Sequence, residues 1–273
     1  MSATTIAVAQ LSPRDDRDAN VADAATLIDE AAGLGARLVV LPELFAVPFV
    51  PAVPGEADYL RWAEPLDGPS NAMAAAKSAE HDIAVVSSIF EATSTPGVFH
   101  NTATTFVGGR PALVYRKSHL PLSNNFPEKY YFSPGSERPS VVEAHGLGVA
   151  TLICYERHFP ELARTAAVQG ATVLAVPIAS ATAYSRSIFE IELKAHAVFN
   201  CLYVASANRI GDEGPKSYFG GSALYGPDGQ TLAQAADHGG PELVVAEIDV
   251  DGLAAKRLTE RPFLRDRRPE LYL

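Results

Sequence analysis

Short apolar runs alternate with longer amphipathic stretches along most of this chain. The apolar runs predict β-strands at residues 5–9, 37–41, 83–90, 101–107, 112–115, 172–176, 202–207 and 243–248. The amphipathic stretches predict helices at residues 20–34, 70–81, 160–169 and 188–200. This β-α-β order is typical of an α/β fold in which helices cover the faces of a sheet.

Two of the predicted helices carry a further pattern. Ser70 is a candidate N-cap of the second helix, because its hydroxyl can accept a hydrogen bond from the first turn. The fourth helix places four apolar residues on one face at the helical period: Ile188, Ile191, Ala195 and Val198. We therefore expect both segments to be helical in the folded chain.

The chain has 273 residues, of which 47% are hydrophobic, so it can bury a large core. No Gly- or Ser-rich linker and no fixed-period repeat divides it, and we expect one domain over residues 1–273. The tail at 256–273 differs, because arginines stand there among Pro, Phe and Tyr, as at Arg261, Arg265, Arg267 and Arg268. This tail fits either a solvated terminal strap or an arm that crosses onto a partner subunit.

Acidic residues outnumber basic ones by 32 to 22, which gives a formal net charge of −10. Such a surface repels phosphate backbones and anionic lipid, so we expect neither nucleic acid nor a membrane as a partner. No apolar stretch approaches the ~18 residues of a membrane span, and the N-terminus lacks the pattern of a signal peptide. Two cysteines, Cys154 and Cys201, do not make a disulfide scaffold. The expected location is a reducing cytoplasm.

Cys154 closes the apolar run 148–154 and precedes the more polar segment 155–161. The first segment is typical of a buried strand. The second is typical of the start of a helix, whose free N–H groups would stabilise an anionic sulfur. A thiol at that junction is a candidate nucleophile. The alternative is a small core hydrophobe, since free cysteine is usually buried in that role.

Three charged residues stand beside apolar segments. Glu43 comes just after the strand 37–41, and ligands gather outside the carboxyl ends of strands in α/β sheets. Lys117 also follows a short apolar strand. Glu128 lies in the aromatic segment 126–132, where a carboxylate is expected to be buried and paired. Taken singly, Glu43 could be an acid in the first turn of a helix, and Lys117 could be a solvated lysine.

A cysteine nucleophile needs a base for its proton and donors for the oxyanion of the tetrahedral intermediate. No Gly-x-Ser-x-Gly motif occurs, and no histidine near Cys154 has a triad context. A Cys–Glu–Lys set would do the same work, with Glu43 as the base and Lys117 plus the Tyr155 backbone N–H facing the oxyanion. The histidines show no recognised metal-ligand spacing, and the glycines at 146–148 are too few for a nucleotide loop, so neither a metal nor a cofactor is expected.

Three ordered blocks of the sequence resemble the signature segments of the nitrilase superfamily of carbon–nitrogen hydrolases. They are Pro42-Glu43, Tyr115-Arg-Lys117 with the following Ser-His-Leu-Pro121, and Ile153-Cys154-Tyr-Glu-Arg-His-Phe-Pro-Glu161. Glu128, followed by Pro134-Gly135, matches that family's additional glutamate. The blocks occur in the family's order and span most of the chain, which makes the resemblance specific.

Within this superfamily the chain is most similar to the N-carbamoyl-β-alanine amidohydrolase, or β-ureidopropionase, branch. This similarity rests on Cys-Tyr-x-Arg-His at 154–158, Ile191-Glu192, Ala207-Asn208-Arg209-Ile-Gly211, Tyr218-Phe-Gly-Gly-Ser222 and the terminal Leu271-Tyr272. The chain departs from that branch in its short leader before Thr5. It departs also in its compact loop at 212–217, which borders the site in such enzymes.

The resemblance implies a four-layer αββα sandwich that usually assembles as a homodimer or a larger homo-oligomer. It implies that Glu43 deprotonates Cys154 and that the thiolate attacks an amide or ureido carbon of a small-molecule substrate. Lys117 and the Tyr155 N–H would then hold the oxyanion. Glu128 would position Lys117 and the substrate amine.

The same resemblance assigns Tyr155, Arg157 and Glu192 to substrate binding. Arg157 is the candidate partner of a substrate carboxylate, because guanidinium pairs with carboxylate through two hydrogen bonds. The alternative for Arg157 is a salt bridge along its own helix. The expected substrate is an N-carbamoyl amino acid such as N-carbamoyl-β-alanine, cleaved with release of ammonia.

Two other functions are compatible with the same residues. An amidase or nitrilase acting on uncharged substrates would use the same four polar side chains, although true nitrilases of this superfamily commonly have Trp where this chain has Tyr155. A non-catalytic interaction domain on the same fold is disfavoured, because all four expected polar positions are filled.

Overall fold

The computed structural model describes residues 3–50, 54–123 and 126–272 of the chain. The helices are α1 (Arg17–Gly33), α2 (Pro69–His81), α3 (Pro160–Val168), α4 (Ala183–Asn200) and α5 (Val250–Thr259). The strands are β1 (Thr4–Gln10), β2 (Ala36–Val40), β3 (Ala84–Ala92), β4 (Phe99–Val107), β5 (Arg110–Arg116), β6 (Val141–Ala144), β7 (Leu147–Thr151), β8 (Val173–Ile178), β9 (Tyr203–Asn208), β10 (Ile210–Glu213), β11 (Lys216–Phe219), β12 (Ala223–Tyr225), β13 (Thr231–Gln234) and β14 (Glu242–Ile248). Over these ranges, no helix combines the length and the apolar character that crossing a bilayer requires.

Most of the strands belong to two six-stranded sheets that repeat one pattern of strand directions. The first sheet has the order β14-β1-β2-β3-β4-β5, and the second has the order β13-β12-β9-β8-β7-β6. The strands β1, β2 and β3 are parallel in the first sheet, as are β7, β8 and β9 in the second. The outer strands of both sheets pair antiparallel, and β10 pairs with β11 as a separate hairpin.

The alternation of side chains along the strands divides the core into layers. In β1, Ile6 and Val8 pack between the two sheets, whereas Ala7 and Ala9 pack on the side that α1 and α2 cover. The helices α3 and α4 cover the outer face of the second sheet in the same way. The layers therefore run helix, sheet, sheet, helix, which confirms the predicted αββα sandwich.

The predicted strands and helices are present with shifted ends, and two helix starts were predicted wrongly. Gly68 is the N-cap of α2 and Pro69 is its first residue, so Ser70 is not the cap. The Glu64 carboxylate accepts the Ser70 backbone N–H at 3.0 Å and satisfies that end of the helix instead. The helix α4 begins at Ala183 rather than at residue 188, because the Thr182 side chain accepts a hydrogen bond from the first turn.

The helix α4 is apolar on two sides. Its buried side consists of Phe189, Leu193, His196, Ala197 and Asn200. The apolar face seen in the sequence is a different one, on which Ile191 is 67% exposed and Ile188, Ala195 and Val198 are half-buried. Tyr184 and Phe199 are exposed on the same helix. Three large apolar side chains therefore lie open on α4.

The chain from residue 256 onward is bound in part to its own subunit. Arg257 donates hydrogen bonds to the backbone carbonyls of Cys201 at 2.8 Å and Ala171 at 2.6 Å. Leu264 packs against the core beneath α3 and α4. Tyr272 near the C-terminus is exposed, and Leu273 lies outside the described residues. An arm that reaches a partner subunit therefore stays a prediction for the last residues.

Candidate active site

The ends of strands from both sheets bring three residues singled out in the sequence to one edge of the sandwich. Glu43 follows β2 and Lys117 follows β5 in the first sheet, whereas Cys154 follows β7 in the second. The Glu43 backbone N–H donates to the carbonyl of Ile178, the last residue of β8, at 3.4 Å. This contact joins the strand ends of the two sheets, so residues far apart in sequence meet here.

Lys117 lies between two carboxylates in the interior. Its Nζ donates to Oε1 of Glu43 at 2.7 Å and to both oxygens of Glu128 at 2.8 Å. The Asn101 side chain donates to the same Glu43 oxygen at 2.7 Å and to Glu128 at 3.5 Å. All four side chains are buried. With both carboxylates ionised, the cluster carries one more negative charge than positive.

Glu43 has one carboxylate oxygen to spare. Oε1 accepts hydrogen bonds from Lys117 and Asn101, whereas the buried Oε2 has no hydrogen-bond partner in the described part of the chain. Buried polar atoms are ordinarily satisfied, because leaving one unpaired costs about 1–3 kcal/mol. An oxygen in this condition can accept a proton from a group brought against it.

The pKa values within this cluster follow from burial and from the uneven number of charges. Although burial alone would lower the pKa of Lys117, the carboxylates of Glu128 and Glu43 outweigh it and raise the pKa. Burial raises the pKa of Glu128 to about 7, and the neighbouring Glu43 carboxylate adds to that rise. Lys117 therefore stays charged, while Glu128 gains a proton as the pH falls below neutrality.

Two residues of this site have strained backbones. Cys154 has a φ of +48°, and Leu44, next to Glu43, has a φ of +49°. Residues other than glycine rarely adopt this left-handed region, which costs roughly 1–3 kcal/mol and persists only where the surroundings enforce it. At Cys154 this conformation makes a sharp bend between β7 and the chain that follows.

Cys154 opens a short 3-10 turn, Cys154–His158, and α3 begins only at Pro160. The expectation of an α-helix N-terminus that stabilises a thiolate is therefore wrong, since one 3-10 turn lacks the aligned peptide dipoles of a longer helix. Burial, with a further contribution from the Glu43 carboxylate, raises the pKa of the Cys154 thiol to about 12. The thiol is protonated at neutral pH, and it could act as a nucleophile only with a base to take its proton.

The buried carboxylate of Glu156 fastens the lysine segment to the cysteine segment. Its Oε1 accepts hydrogen bonds from the Tyr115 hydroxyl at 2.8 Å and from the Ser118 N–H and hydroxyl at 2.8 and 2.6 Å. Its Oε2 accepts the Ile153 N–H at 2.8 Å. Because these donors belong to residues next to Lys117 and Cys154, the single carboxylate holds the two segments in register.

A cavity of about 620 Å³ opens beside Cys154, which is the size of a small-molecule site. Glu128, Tyr155 and Arg157 line it, so the predicted substrate-binding residues 155 and 157 do face the same space as the cysteine. Several hydroxyl groups complete the wall, from Ser123, Ser180, Thr182, Tyr184 and Ser185. A polar ligand with hydrogen-bonding groups fits these surroundings.

Arg157 is ion-paired with a residue of α4 rather than along its own turn. Its Nε donates to Glu192 Oε2 at 3.1 Å, and His158 Nδ1 lies 2.5 Å from the other oxygen of Glu192. Its Nη1 donates to the Cys154 carbonyl at 3.1 Å and lies 3.9 Å from the sulfur. Its Nη2 has no hydrogen bond to any described residue. Glu192 supports Arg157 and is not itself part of the cavity wall.

Three buried polar residues of this region had no role in the sequence interpretation. Asn101 stands at the start of a predicted apolar strand, where a polar residue indicates a buried hydrogen-bonding role. Glu156 and Arg209 lie within sequence blocks that carry the family resemblance, but nothing local shows what they contact. Their partners lie up to 166 residues away, as between Arg209 and Glu43.

Comparison with known proteins gives consistent matches over the chain. The sequence model of the carbon-nitrogen hydrolase family matches residues 5–257. The chain is 32% identical to an N-carbamoylputrescine amidase of Arabidopsis thaliana, with 96% of this chain and 92% of that protein covered. It is 31% identical to a citrullinase of Francisella tularensis, with 100% and 98% covered. A carbon–nitrogen hydrolase structure from Helicobacter pylori G27 superposes with a TM-score of 0.92 at 28% identity, covering 99% of this chain and 97% of that one.

Proposed function

Because the chain belongs to the carbon-nitrogen hydrolase family, the nitrilase superfamily, we propose that Cys154 is the nucleophile of its reaction. The protein is a hydrolase of amides or carbamoyl compounds. The proposed substrate is an N-carbamoyl amino acid such as N-carbamoyl-β-alanine, from which the enzyme releases ammonia.

The unpartnered oxygen of Glu43 is the observation that carries this proposal. The Cys154 thiol has a raised pKa and must lose its proton as it attacks. Oε2 of Glu43 is buried and free to accept that proton, while Lys117 and Asn101 fix the other oxygen. Proton transfer by a base positioned in this way typically contributes 10²- to 10⁴-fold in rate.

The charge that develops on the substrate oxygen has two proposed partners, the Lys117 ammonium and the Tyr155 backbone N–H. A donor of this kind contributes roughly 3–4 kcal/mol where water is excluded. Glu128 holds Lys117 in place through both of its oxygens and also lines the cavity. It is therefore the proposed contact for the substrate amine.

The reaction balances in two halves. In the first, the Cys154 sulfur bonds to the carbamoyl carbon, the bond from that carbon to the terminal nitrogen breaks, and ammonia leaves with the proton that Glu43 took from the thiol. In the second, Glu43 takes a proton from water, the water oxygen bonds to the thioester carbon, and the bond from sulfur to carbon breaks. Glu43 then returns its proton to the departing sulfur, which restores the Cys154 thiol and the Glu43 carboxylate. The carbamic acid so formed loses carbon dioxide to give the free amino acid.

Arg157 supports a substrate that carries a carboxylate. Its Nη2 makes no hydrogen bond to a described residue, and Glu192 holds the guanidinium in place through Nε. A guanidinium with one free nitrogen at the cavity can pair with an acid. The two relatives are named for N-carbamoylputrescine and for citrulline, which are both carbamoyl compounds and of which citrulline is an amino acid.

The Arg157–Glu192 ion pair also favours a second candidate, an amidase for uncharged substrates, because Glu192 offsets the arginine charge. Ammonia release from N-carbamoyl-β-alanine, N-carbamoylputrescine and butyramide separates the two. We expect Arg157→Met to lower kcat/KM at least about 10-fold on the acid alone, through a higher KM. Arg164→Met, an arginine of α3 outside the cavity, is the control. An equal loss on all three substrates would discard the carboxylate role.

The exposed apolar side of α4 supports a proposed self-association. Ile191, Tyr184 and Phe199 are three large apolar side chains exposed on one helix, and grouped exposed apolar residues mark interaction surfaces. A second copy of the chain on this face, with residues 256–273 as an arm, would bury it. Analytical ultracentrifugation tests this: we expect a dimer or larger species that Ile191→Glu weakens, and a wild-type monomer would rule it out.

A further inference from the structure

Arg209 is a fully buried arginine whose side chain fastens the turn that carries Glu43. It follows β9, at the same edge of the sandwich as Cys154, and is 0% exposed. Its Nε donates to the Glu43 carbonyl at 2.9 Å, and its Nη2 donates to the carbonyls of Leu44 and Val47, the latter at 2.7 Å. One guanidinium thus satisfies three backbone carbonyls of a single turn.

Glu213 braces this guanidinium from the hairpin β10–β11. Its Oε1 accepts Arg209 Nη1 at 2.6 Å, and its Oε2 accepts the Phe49 N–H at 2.7 Å. The arginine also lies over the Phe49 and Tyr218 rings, 5.4 and 5.8 Å from their centroids. Both ends of the segment 43–49 are therefore tied to the same ion pair.

The other hydrogen bonds of the turn are single contacts from separate parts of the chain. Leu44 has a φ of +49°, a conformation that a leucine adopts only where its surroundings enforce it. The Leu44 N–H is held by the Ser88 hydroxyl at 3.2 Å, and the Glu43 N–H bond to Ile178 is long at 3.4 Å. Asn20 donates to the Ala46 carbonyl at 3.0 Å, and the Val47 N–H donates to that of Leu44 at 3.1 Å. The Glu43 carbonyl itself is held by Arg209.

The backbone of Arg209 is in turn fixed to the cysteine side of the cavity. The Asn208 side-chain oxygen accepts the N–H groups of Arg209 and Ser180, each at 2.9 Å. Ser180 follows Ala179, whose carbonyl lies 3.9 Å from the Cys154 sulfur. Arg209 therefore spans from the wall beside the thiol to the main chain of Glu43.

We propose that Arg209, braced by Glu213, is a positioning residue that sets the distance between the Glu43 carboxylate and the Cys154 thiol. The inference rests on the proposed role of Glu43 as the base. Lys117 and Asn101 fix one oxygen of the Glu43 side chain, and Arg209 holds its main-chain carbonyl, so Arg209 contributes to where the free oxygen lies. A misplacement of about 1 Å at such a site can cost on the order of 10²-fold in rate.

Arg209→Lys tests the proposal, because lysine keeps the charge but cannot reach all three carbonyls in a planar fork. The matched control is Arg257→Lys, which removes the same kind of contact from the carbonyls of Cys201 and Ala171. We expect Arg209→Lys to lower kcat about 100-fold with KM changed less than about threefold. We expect Arg257→Lys to leave both within about twofold, at a similar loss of melting temperature.

A second readout separates positioning from a purely structural role. Alkylation of Cys154 by iodoacetamide, followed at the cysteine peptide by mass spectrometry, reports proton removal from the thiol without turnover. We expect Arg209→Lys to slow it about 10-fold at neutral pH, as in Glu43→Gln but less completely, because the base is no longer held against the thiol. If Arg209→Lys does not fold, Glu213→Gln, which weakens the brace, is measured in the same way with a smaller expected loss.

The outcomes distinguish this inference from the function on which it rests. A folded Arg209→Lys or Glu213→Gln enzyme with wild-type kcat and a wild-type alkylation profile would overturn the positioning role. Full activity of Glu43→Gln would instead remove the base, and the proposed mechanism with it. A loss in Arg257→Lys as large as that in Arg209→Lys would show that the effect is general destabilisation and would also overturn the inference.

Discussion

Arg116 and Lys117 are neighbours in the chain, yet the ion pairs they form are built differently. Arg116 donates to the two oxygens of Glu91 at 2.6 and 2.7 Å, and the Thr102 hydroxyl donates to the same carboxylate at 2.6 Å. One cation meets one carboxylate, and both oxygens have partners. Although burial alone would raise it, the hydrogen bonds from Arg116 and Thr102 lower the pKa of Glu91.

Lys117 instead meets two carboxylates, and the charges do not balance. One oxygen of Glu43 has no partner among the residues described, and the pKa of Glu128 is raised rather than lowered. The Arg116 pair is saturated and can only stabilise the fold. In the Lys117 cluster, one oxygen of Glu43 is free to accept a proton, and the pKa of Glu128 lies near neutral pH. These are the properties expected of groups that exchange protons with a substrate.

The largest expected effect is the loss of activity in Glu43→Gln, compared with the same substitution in the Arg116 pair. Glu43→Gln removes the free acceptor while keeping the size of the side chain, so we expect kcat/KM to fall about 10³- to 10⁴-fold. Glu91→Gln in the neighbouring pair is the matched control and should leave kcat/KM within about twofold. Ammonia release by both purified variants is the measurement. Similar activities of the two variants would mean that the imbalance of charge has no catalytic meaning.

Glu128→Gln should have the next largest effect, and it depends on pH. The wild-type carboxylate gains a proton as the pH falls through about 7, so activity should decline on the acid side of that value. Glutamine imitates the protonated form, so we expect kcat about 10²-fold lower at pH 8 and little further decline between pH 8 and pH 6. A pH–rate profile parallel to the wild type would contradict this role.

The two clusters should also differ in the sign of their effect on stability. Because the pKa of Glu91 is lowered, its contribution is present above the unfolded value near 4.5 and is lost as the pH falls through the folded value. Because the pKa of Glu128 is raised to about 7, its contribution is present below 4.5 and is lost as the pH rises through 7. Thermal melts of each Gln variant against wild type, from pH 3 to pH 8, should show these opposite trends.

The smallest expected effect is on the stability of the Glu91→Gln variant at neutral pH. Loss of charged hydrogen bonds from Arg116 and Thr102 should lower the free energy of unfolding by about 1–3 kcal/mol. Thermal unfolding at pH 7 checks this. Glu270→Gln, which removes the exposed ion pair between Arg268 and Glu270, is the control and should change the free energy of unfolding little. A stability unchanged by Glu91→Gln would remove the structural half of the comparison.

The sequence predicts eight strands of this fold to within two residues at their ends, and much of the site follows from where they end. Glu43 and Lys117 stand just after apolar strands, and Glu128 lies among aromatic residues, so their placement at one edge of buried sheets could be expected. The sequence wrongly placed a helix N-terminus at Cys154. The polar residues after the cysteine form a 3-10 turn, and α3 starts only at Pro160. The buried face of α4 could not be chosen from the sequence either. Two faces of this helix carry apolar residues, and only packing in the folded chain decides which one is buried.

Contacts between distant segments were beyond the reach of sequence patterns. Glu156 and Arg209 look like ordinary charged residues, yet each ties together backbones from different parts of the chain. Their burial is set by tertiary structure and not by local propensity. The unpartnered oxygen of Glu43 is likewise a property of the assembled cluster.

Ammonia release by Cys154→Ala tests the central claim most directly, with Cys201→Ala as its matched control. Both cysteines are buried, and both have a left-handed backbone, with a φ of +48° at each. We predict a folded Cys154→Ala protein that releases no ammonia above the buffer blank from any carbamoyl or amide substrate, and a Cys201→Ala protein within about twofold of wild type. Turnover retained by Cys154→Ala would contradict the account.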